Sequence, residues 1–192
     1  MNLLNKVAAA IAARATWKRA IILFVLTYTV YFFMLGLTIP AVEEYANGMM
    51  IFDLKPFGYT FSYAETLINN LGEEGISVYL TRQLPLDFLY PGCMGLTGAA
   101  FIALLVRKKI RNASYIICLP LIAGFMDYME NVMIIIMLRQ SAELSIWAAS
   151  AASIFTVLKS VLSTAYYVVL LFLLVVRFIQ IIKHKSGGHF GQ

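Results

Sequence analysis

Four long apolar runs constrain this chain more than any other feature of its sequence. They lie at about 20–41, 84–106, 115–138 and 154–176, and each reaches the roughly 20 residues that an α-helix needs to cross a bilayer core. Hydrophobic residues make up 61% of the chain and charged residues 13%. A soluble domain is about half apolar and a quarter charged. The sequence therefore predicts an all-α integral membrane protein, in which one domain over 1–183 forms a bundle of four transmembrane helices.

The polar segment 42–82, between the first two runs, carries signals of local structure. In "FDLKPFGY" (52–59), proline and glycine stand at a spacing typical of turns. "SYAE" (Ser62 to Glu65) has the spacing of a helix-capping box, and Gly72 is expected to end the short helix that follows. We therefore expect the 42–82 segment to form a structured cap at the membrane surface.

The distribution of basic residues predicts the orientation of the chain. The N-terminal lead-in, the connection between the second and third runs and the C-terminal tail together carry eleven Lys and Arg and no acid. Cytoplasmic loops are enriched in Lys and Arg, so both termini are predicted to be cytoplasmic and the 42–82 segment extracytoplasmic. We expect the protein in the bacterial plasma (inner) membrane, with a flexible tail at 184–192. The net charge of +5 then indicates contact with membrane lipids, and no nucleic-acid partner is expected.

Four ionisable residues lie within the predicted spans, namely Asp87, Asp127, Glu130 and Lys159. At a rise of 1.5 Å per residue, all four lie about 24–30 Å along their helices from the basic residue at the cytoplasmic end. Three different helices thus bring their charges to one level in the outer part of the bilayer. Gly124, one turn from Asp127, would allow two helices to approach closely.

These charges predict a polar pocket beneath the 42–82 segment. Buried charges are costly in a membrane and mark functional sites, so we assign proton-transfer or catalytic roles to Asp87, Asp127, Glu130 and Lys159. Residues that share their helix faces, or that could close the pocket from the 42–82 segment, are predicted to bind the ligand: Asp53, Tyr59, Tyr63, Tyr90, Asn131, Ser163 and Tyr166.

One lysine cannot neutralise several acids, so at least one carboxyl group should be protonated at neutral pH. Several structural interpretations remain open. An Asp–Lys pair could simply join two helices, and Asp87 or Lys159 could extend to the outer interface. A metal site made only of carboxylates is a further alternative, although we expect no metal and no cofactor. Cys93 and Cys118 fall in apolar runs and are interpreted as packing residues.

Three stretches, "FDLKPFGY", "LPLDFLYP" and "MDYMEN", together resemble a small bacterial family of four-span membrane proteins. More loosely, the layout is similar to the EXPERA group, which contains the sigma-2 receptor and sterol isomerases. In that resemblance Asp53 would be the acid after the first span, and Asp87 with Pro91 the acid near a proline in the second. It implies a pocket for hydrophobic amines or sterols, although the His-containing isomerase pocket is missing here.

Three functions are compatible with these features. The first is a site that binds, or acts by acid/base chemistry on, a lipophilic molecule or lipid. The second is a proton- or cation-conducting channel or transporter, because buried carboxyl groups mark ion pathways. The third is a non-catalytic assembly subunit whose charges bind a partner helix. A homo-oligomer is compatible with each of them.

Overall fold

The computed structural model describes residues 3–106, 113–140 and 143–187, with side chains to Lys183, and the regular elements of these ranges are all helical. A π-helical turn, Met34–Thr38, joins α2 to α3, and a second, Tyr79–Gln83, joins α4 to α5. A short 3-10 turn covers Phe52–Leu54. The α-helices are α1 Leu3–Arg14, α2 Trp17–Phe33, α3 Ile39–Tyr45, α4 Phe61–Val78, α5 Leu84–Leu105, α6 Ala113–Arg139 and α7 Ile146–Gly187.

Four helical stretches are long and apolar enough to cross a membrane, which confirms the predicted all-helical class with four candidate spans. They are Trp17–Tyr45, Phe61–Leu105, Ala113–Arg139 and Ile146–Lys183. In the first and fourth stretches, only 22% and 11% of the most apolar window is buried inside the protein. Their outward faces therefore remain apolar, as expected for helices surrounded by lipid tails.

The helix α6 lies between α5 and α7, while α2 packs on α5. Small residues let α5 and α6 approach closely, as expected for Gly124. A Cβ atom at Gly124 would lie 2.7 Å from the Pro91 carbonyl oxygen, and one at Gly98 would lie 2.8 Å from the Pro120 side chain. Both prolines lie inside helices, and α5 remains helical through Pro91.

The 42–82 segment is folded onto the ends of α6 and α7. Its Phe52, Leu67 and Leu71 belong to one buried cluster with Ile134 of α6 and Ala149 of α7. The predicted capping box at Ser62 is wrong, because the hydroxyl of Thr60, two residues earlier, accepts the hydrogen bond from the Tyr63 amide. Gly72 leaves the helical conformation, with φ of 58°, and ends the first part of α4 as predicted. A second helical part begins directly after this kink and continues through the π turn into α5.

Two further elements differ from the predicted spans in length or packing. The helix α7 has 42 residues and begins at Ile146, and its first turns pack against the 42–82 segment. The lead-in forms α1, which packs on α5 and α6 and buries Ala8. Cys118 donates a hydrogen bond to the Leu4 carbonyl, at 3.6 Å.

The basic connection 107–112 lies outside the described residues, as does the tail beyond Gly187.

Candidate functional site

The ammonium group of Lys159, on α7, is the centre of a buried charge cluster. Its Nζ atom lies 3.0 Å from Asp127 Oδ1 and 3.8 Å from Asp53 Oδ1, and it also contacts Glu130 Oε2. The side chain of Lys159 is 13% exposed, and the three acids are 7% exposed or less. Residues of the 42–82 segment, α6 and α7 thus meet at one point. Asp127, Glu130 and Lys159 were predicted to lie at one level, and Asp53 was expected to close the pocket from the segment.

Two hydroxyl groups that the sequence argument missed complete the cluster. Thr156 donates a 2.6 Å hydrogen bond to Glu130 Oε1, and Tyr79 donates a 2.7 Å hydrogen bond to Asp53 Oδ2. Thr156 precedes Lys159 by three residues, so its place on the same helix face could have been found from spacing. Tyr79 precedes Asp87 by eight residues, a spacing that would leave the two side chains on different faces of a regular α-helix. The π turn between them widens the helix and brings the two side chains to the same face.

Asp87 is buried beside Asp53 and does not extend to the interface. Only 2% of the residue is exposed, and its side chain lies within hydrogen-bonding reach of the Asp53 carboxyl group. The Asn131 amide of α6 donates a 2.9 Å hydrogen bond to the Asp87 backbone carbonyl, which fixes α5 against α6. Two adjacent carboxyl groups repel each other when both are ionised, so this contact adds to the cost of burying negative charge here.

The charges of this cluster do not balance. Four acids, Asp53, Asp87, Asp127 and Glu130, lie together, while the ion pairs recorded in the described ranges all involve Lys159. Unpaired charge buried away from water is strongly unfavourable. The sequence predicted that at least one carboxyl group is protonated, and this imbalance of charge is consistent with that prediction.

The 42–82 segment seals the cluster from one side. The backbone amide of Tyr59 donates a 2.9 Å hydrogen bond to Ser153 Oγ, and the Tyr59 ring lies 4.9 Å from that of Phe52. Burial, followed by the charges of Glu130 and Asp53, raises the pKa of Tyr59 above its ordinary value, so this phenol stays protonated. Tyr63, in contrast, donates to the Met50 carbonyl at the surface of the segment and does not reach the cluster.

An apolar cavity of about 250 Å³ lies between α2, α5 and α7. Tyr166, which was predicted to bind a ligand, forms part of its wall and is 2% exposed. Thr27 and Thr97 share a 2.8 Å hydrogen bond across the α2–α5 contact at this cavity. The lining residues are Phe24, Thr27, Tyr28, Met94, Thr97, Gly98, Phe101, Tyr166, Tyr167, Leu170 and Leu174.

Tyrosine side chains form part of the wall of this cavity. The ring centroids of Tyr166 and Tyr167 lie 4.2 Å apart. Tyr90, one helical turn from Asp87 on α5, packs against the buried cluster that contains Tyr166. Ser163 is half-buried on α7 and lines none of the three described cavities.

The acids themselves do not line these cavities. None of the three described cavities includes Asp53, Asp87, Asp127 or Glu130 in its wall. Across the described ranges, no three His, Cys, Asp or Glu side chains are arranged to hold a metal ion. The four acids are buried and lie outside these three cavities.

Comparison with protein-family models, curated proteins and solved structures finds no match for this chain. The resemblance to a four-span bacterial family and to the EXPERA group therefore stays a prediction. Function has to be argued from the cluster and the cavity alone.

Proposed function

We propose that this chain is an integral protein of the bacterial plasma membrane that binds a lipophilic molecule between α2, α5 and α7. Both termini lie in the cytoplasm in this proposal, and the 42–82 segment lies outside. The orientation is supported by the eleven Lys and Arg of the lead-in, the 107–112 connection and the tail, where the sequence contains no acid.

The observation that carries the proposal is the apolar cavity between these helices. Its volume of about 250 Å³ suits a small lipophilic molecule or part of an acyl chain, since pockets for drug-sized ligands are about 300–1,000 Å³. Phe24 and Leu174 line it while remaining 43% and 44% exposed. A ligand can therefore enter sideways from the bilayer, and the tyrosine and threonine hydroxyl groups would orient its polar end.

The charge cluster supplies protons at the outer end of this site. Tyr166 follows Lys159 by seven residues, so about 10 Å of helix separates the cavity wall from the cluster. Asp127 and Glu130 would exchange protons with the cavity through Tyr90. This arrangement supports ligand binding most directly, and it supports acid/base chemistry on the ligand only if Tyr90 relays the proton.

A photoreactive fatty acid carrying a diazirine group tests the proposal in detergent-purified protein. Labelled peptides should come from α2, α5 and α7 around the cavity. Leu170→Trp fills the cavity and should reduce this labelling about tenfold or more, whereas Leu171→Trp on the neighbouring exposed position should leave it unchanged. Equal labelling in the two variants would show that the fatty acid does not bind in this cavity and would contradict the proposal.

Proton conduction is a second candidate, favoured by the hydroxyl groups that lead from the cluster toward the other end of the bundle. Thr27, Tyr28 and Tyr167 line the cavity, and Tyr90 packs against the buried cluster that contains Tyr166. Proteoliposomes with a pH-sensitive dye inside would report this activity. Flux that disappears in both Asp127→Asn and Tyr90→Phe would support it, and flux that survives both changes would contradict it.

A further inference from the structure

A second cavity, at the opposite end of the bundle from the charge cluster, has the features of an anionic-lipid site. It has a volume of about 460 Å³ and lies where α1 and α2 meet α5 and α6. Arg14 and Arg19 form its polar part, and the remaining lining residues are apolar: Val7, Ala10, Ile11, Ala15, Leu23, Leu96, Ala100 and Leu121. We propose that this cavity binds an anionic phospholipid, with the headgroup phosphate between the two arginines and an acyl chain along the apolar wall.

The local backbone brings the two guanidinium groups to one rim. Arg14 ends α1, and α2 begins at Trp17 after the Thr16 cap. Arg19 Nη1 donates a 2.9 Å hydrogen bond to the Arg14 carbonyl, which holds the Arg19 side chain back across the turn. The N-terminus of α2 points to the same rim, and the positive end of a helix dipole favours an anion there.

The charge at this rim is uncompensated by protein. The first acid in the sequence is Glu43, so neither α1 nor α2 contains one. In the part of the chain that the structure describes, the recorded ion pairs involve Lys159 and not Arg14 or Arg19. Two adjacent arginines without an acid repel each other, and a phosphate between them would reverse that repulsion through paired N–H donors.

The shape of the cavity selects a lipid over a free phosphate. Its wall consists of aliphatic side chains, and Leu96 lines it while remaining 48% exposed, so the cavity opens toward the bilayer. Trp17 lies at the same end, with its ring centroid 6.2 Å from that of Phe101 and about half of the residue exposed. Tryptophan prefers the headgroup level, which places the arginines where lipid phosphates lie. Basic pockets between membrane helices bind anionic headgroups in this way.

Native mass spectrometry tests the site on the full chain purified with equal amounts of phosphatidylglycerol and phosphatidylcholine. The unmodified protein should retain one phosphatidylglycerol preferentially. Arg14→Gln with Arg19→Gln should lower that preference by about 30-fold, the effect of two basic residues near a membrane surface. Lys6→Gln with Lys18→Gln removes the same charge outside the cavity and should leave the preference intact. Equal losses in the two double variants would overturn the site.

A second pair of matched variants tests the apolar part of the site. Ala10→Trp occupies the cavity and should abolish lipid retention, whereas Ala9→Trp, on the neighbouring exposed position, should not. Retention that is unchanged in Ala10→Trp would contradict the proposal. Inorganic phosphate at millimolar concentration should fail to displace the lipid, and displacement by phosphate alone would show a simple anion site instead. Fatty-acid labelling at the first cavity should persist in the arginine variants, so the two proposals fail independently.

Discussion

Lys159 determines the character of the buried cluster, because it is the cation that contacts three acids from two other parts of the fold. Lys159→Met should destabilise the protein by about 3–5 kcal/mol, since removing one partner of a buried pair leaves the others as uncompensated charges. Thermal unfolding in detergent measures the loss, and Lys183→Met, at the exposed end of α7, serves as the control.

Removing an acid as well should recover part of this loss. In the Lys159→Met background, Glu130→Gln takes away one uncompensated charge, so the two changes should not be additive. If Lys159→Met behaves like the control, or if the double change is simply additive, the lysine does not hold the cluster together.

At the residue scale, the sequence predicted which charges meet but not all of their partners. The level of Asp87, Asp127 and Lys159 followed from a constant helical rise. Tyr79 was missed because a π turn changes the register between it and Asp87. Tyr63 was wrongly expected to face the site, since its phenol donates to the Met50 carbonyl at the surface of the segment.

At the element scale, the 42–82 segment depends on a close contact at Gly58. A Cβ atom there would lie 2.6 Å from Ser153 Oγ, and the backbone has φ of 80°. Gly48 has a similar φ of 75° but open space around it. Gly58→Ala should therefore destabilise the segment more than Gly48→Ala, by about 1–3 kcal/mol, because only the former adds a steric conflict to the backbone strain.

Limited proteolysis of the 42–82 segment measures this difference. Faster cleavage in Gly58→Ala than in Gly48→Ala is the expected result, since the altered glycine packs against α7. Equal cleavage rates would mean that the segment is not held by this contact.

The α5–α6 contact gives a second prediction at this scale. Gly124→Ala places a methyl group 2.7 Å from the Pro91 carbonyl oxygen, which should push the helices apart and lower stability by about 1–3 kcal/mol. Gly36→Ala is a matched control, because no atom lies within 4 Å of its added Cβ. Thermal unfolding should separate the two variants, and a neutral Gly124→Ala would contradict the close packing.

Element lengths were the less predictable part of the fold. Hydropathy located the four helical regions, but it could not show that α7 would extend to Ile146. The extension of α7 depends on tertiary packing, because Ala148 and Ala149 are buried against the folded 42–82 segment. The cavity walls likewise depend on packing between α2, α5 and α7, and a local sequence pattern does not predict such packing.

At the scale of the whole molecule, the proposed orientation predicts accessibility from the two sides of the membrane. Phe57 is 96% exposed in the 42–82 segment, and Lys183 is exposed at the other end of α7. In intact cells, a membrane-impermeant maleimide should label Phe57→Cys and should label Lys183→Cys only after permeabilisation. The native Cys93 and Cys118 are buried, so the background should be low. The reverse pattern would invert the orientation.

The central claim is that the four buried acids outnumber the one lysine beside them, so that part of the cluster keeps its protons at neutral pH. Infrared spectroscopy of the purified protein at neutral pH tests it directly, because a protonated carboxyl group has its own C=O band. We predict that the band is present and that Asp87→Asn weakens it, since this acid is buried and makes no recorded ion pair, whereas Glu143→Gln, at an exposed position, leaves it unchanged. A spectrum without a protonated-carboxyl band would contradict the account.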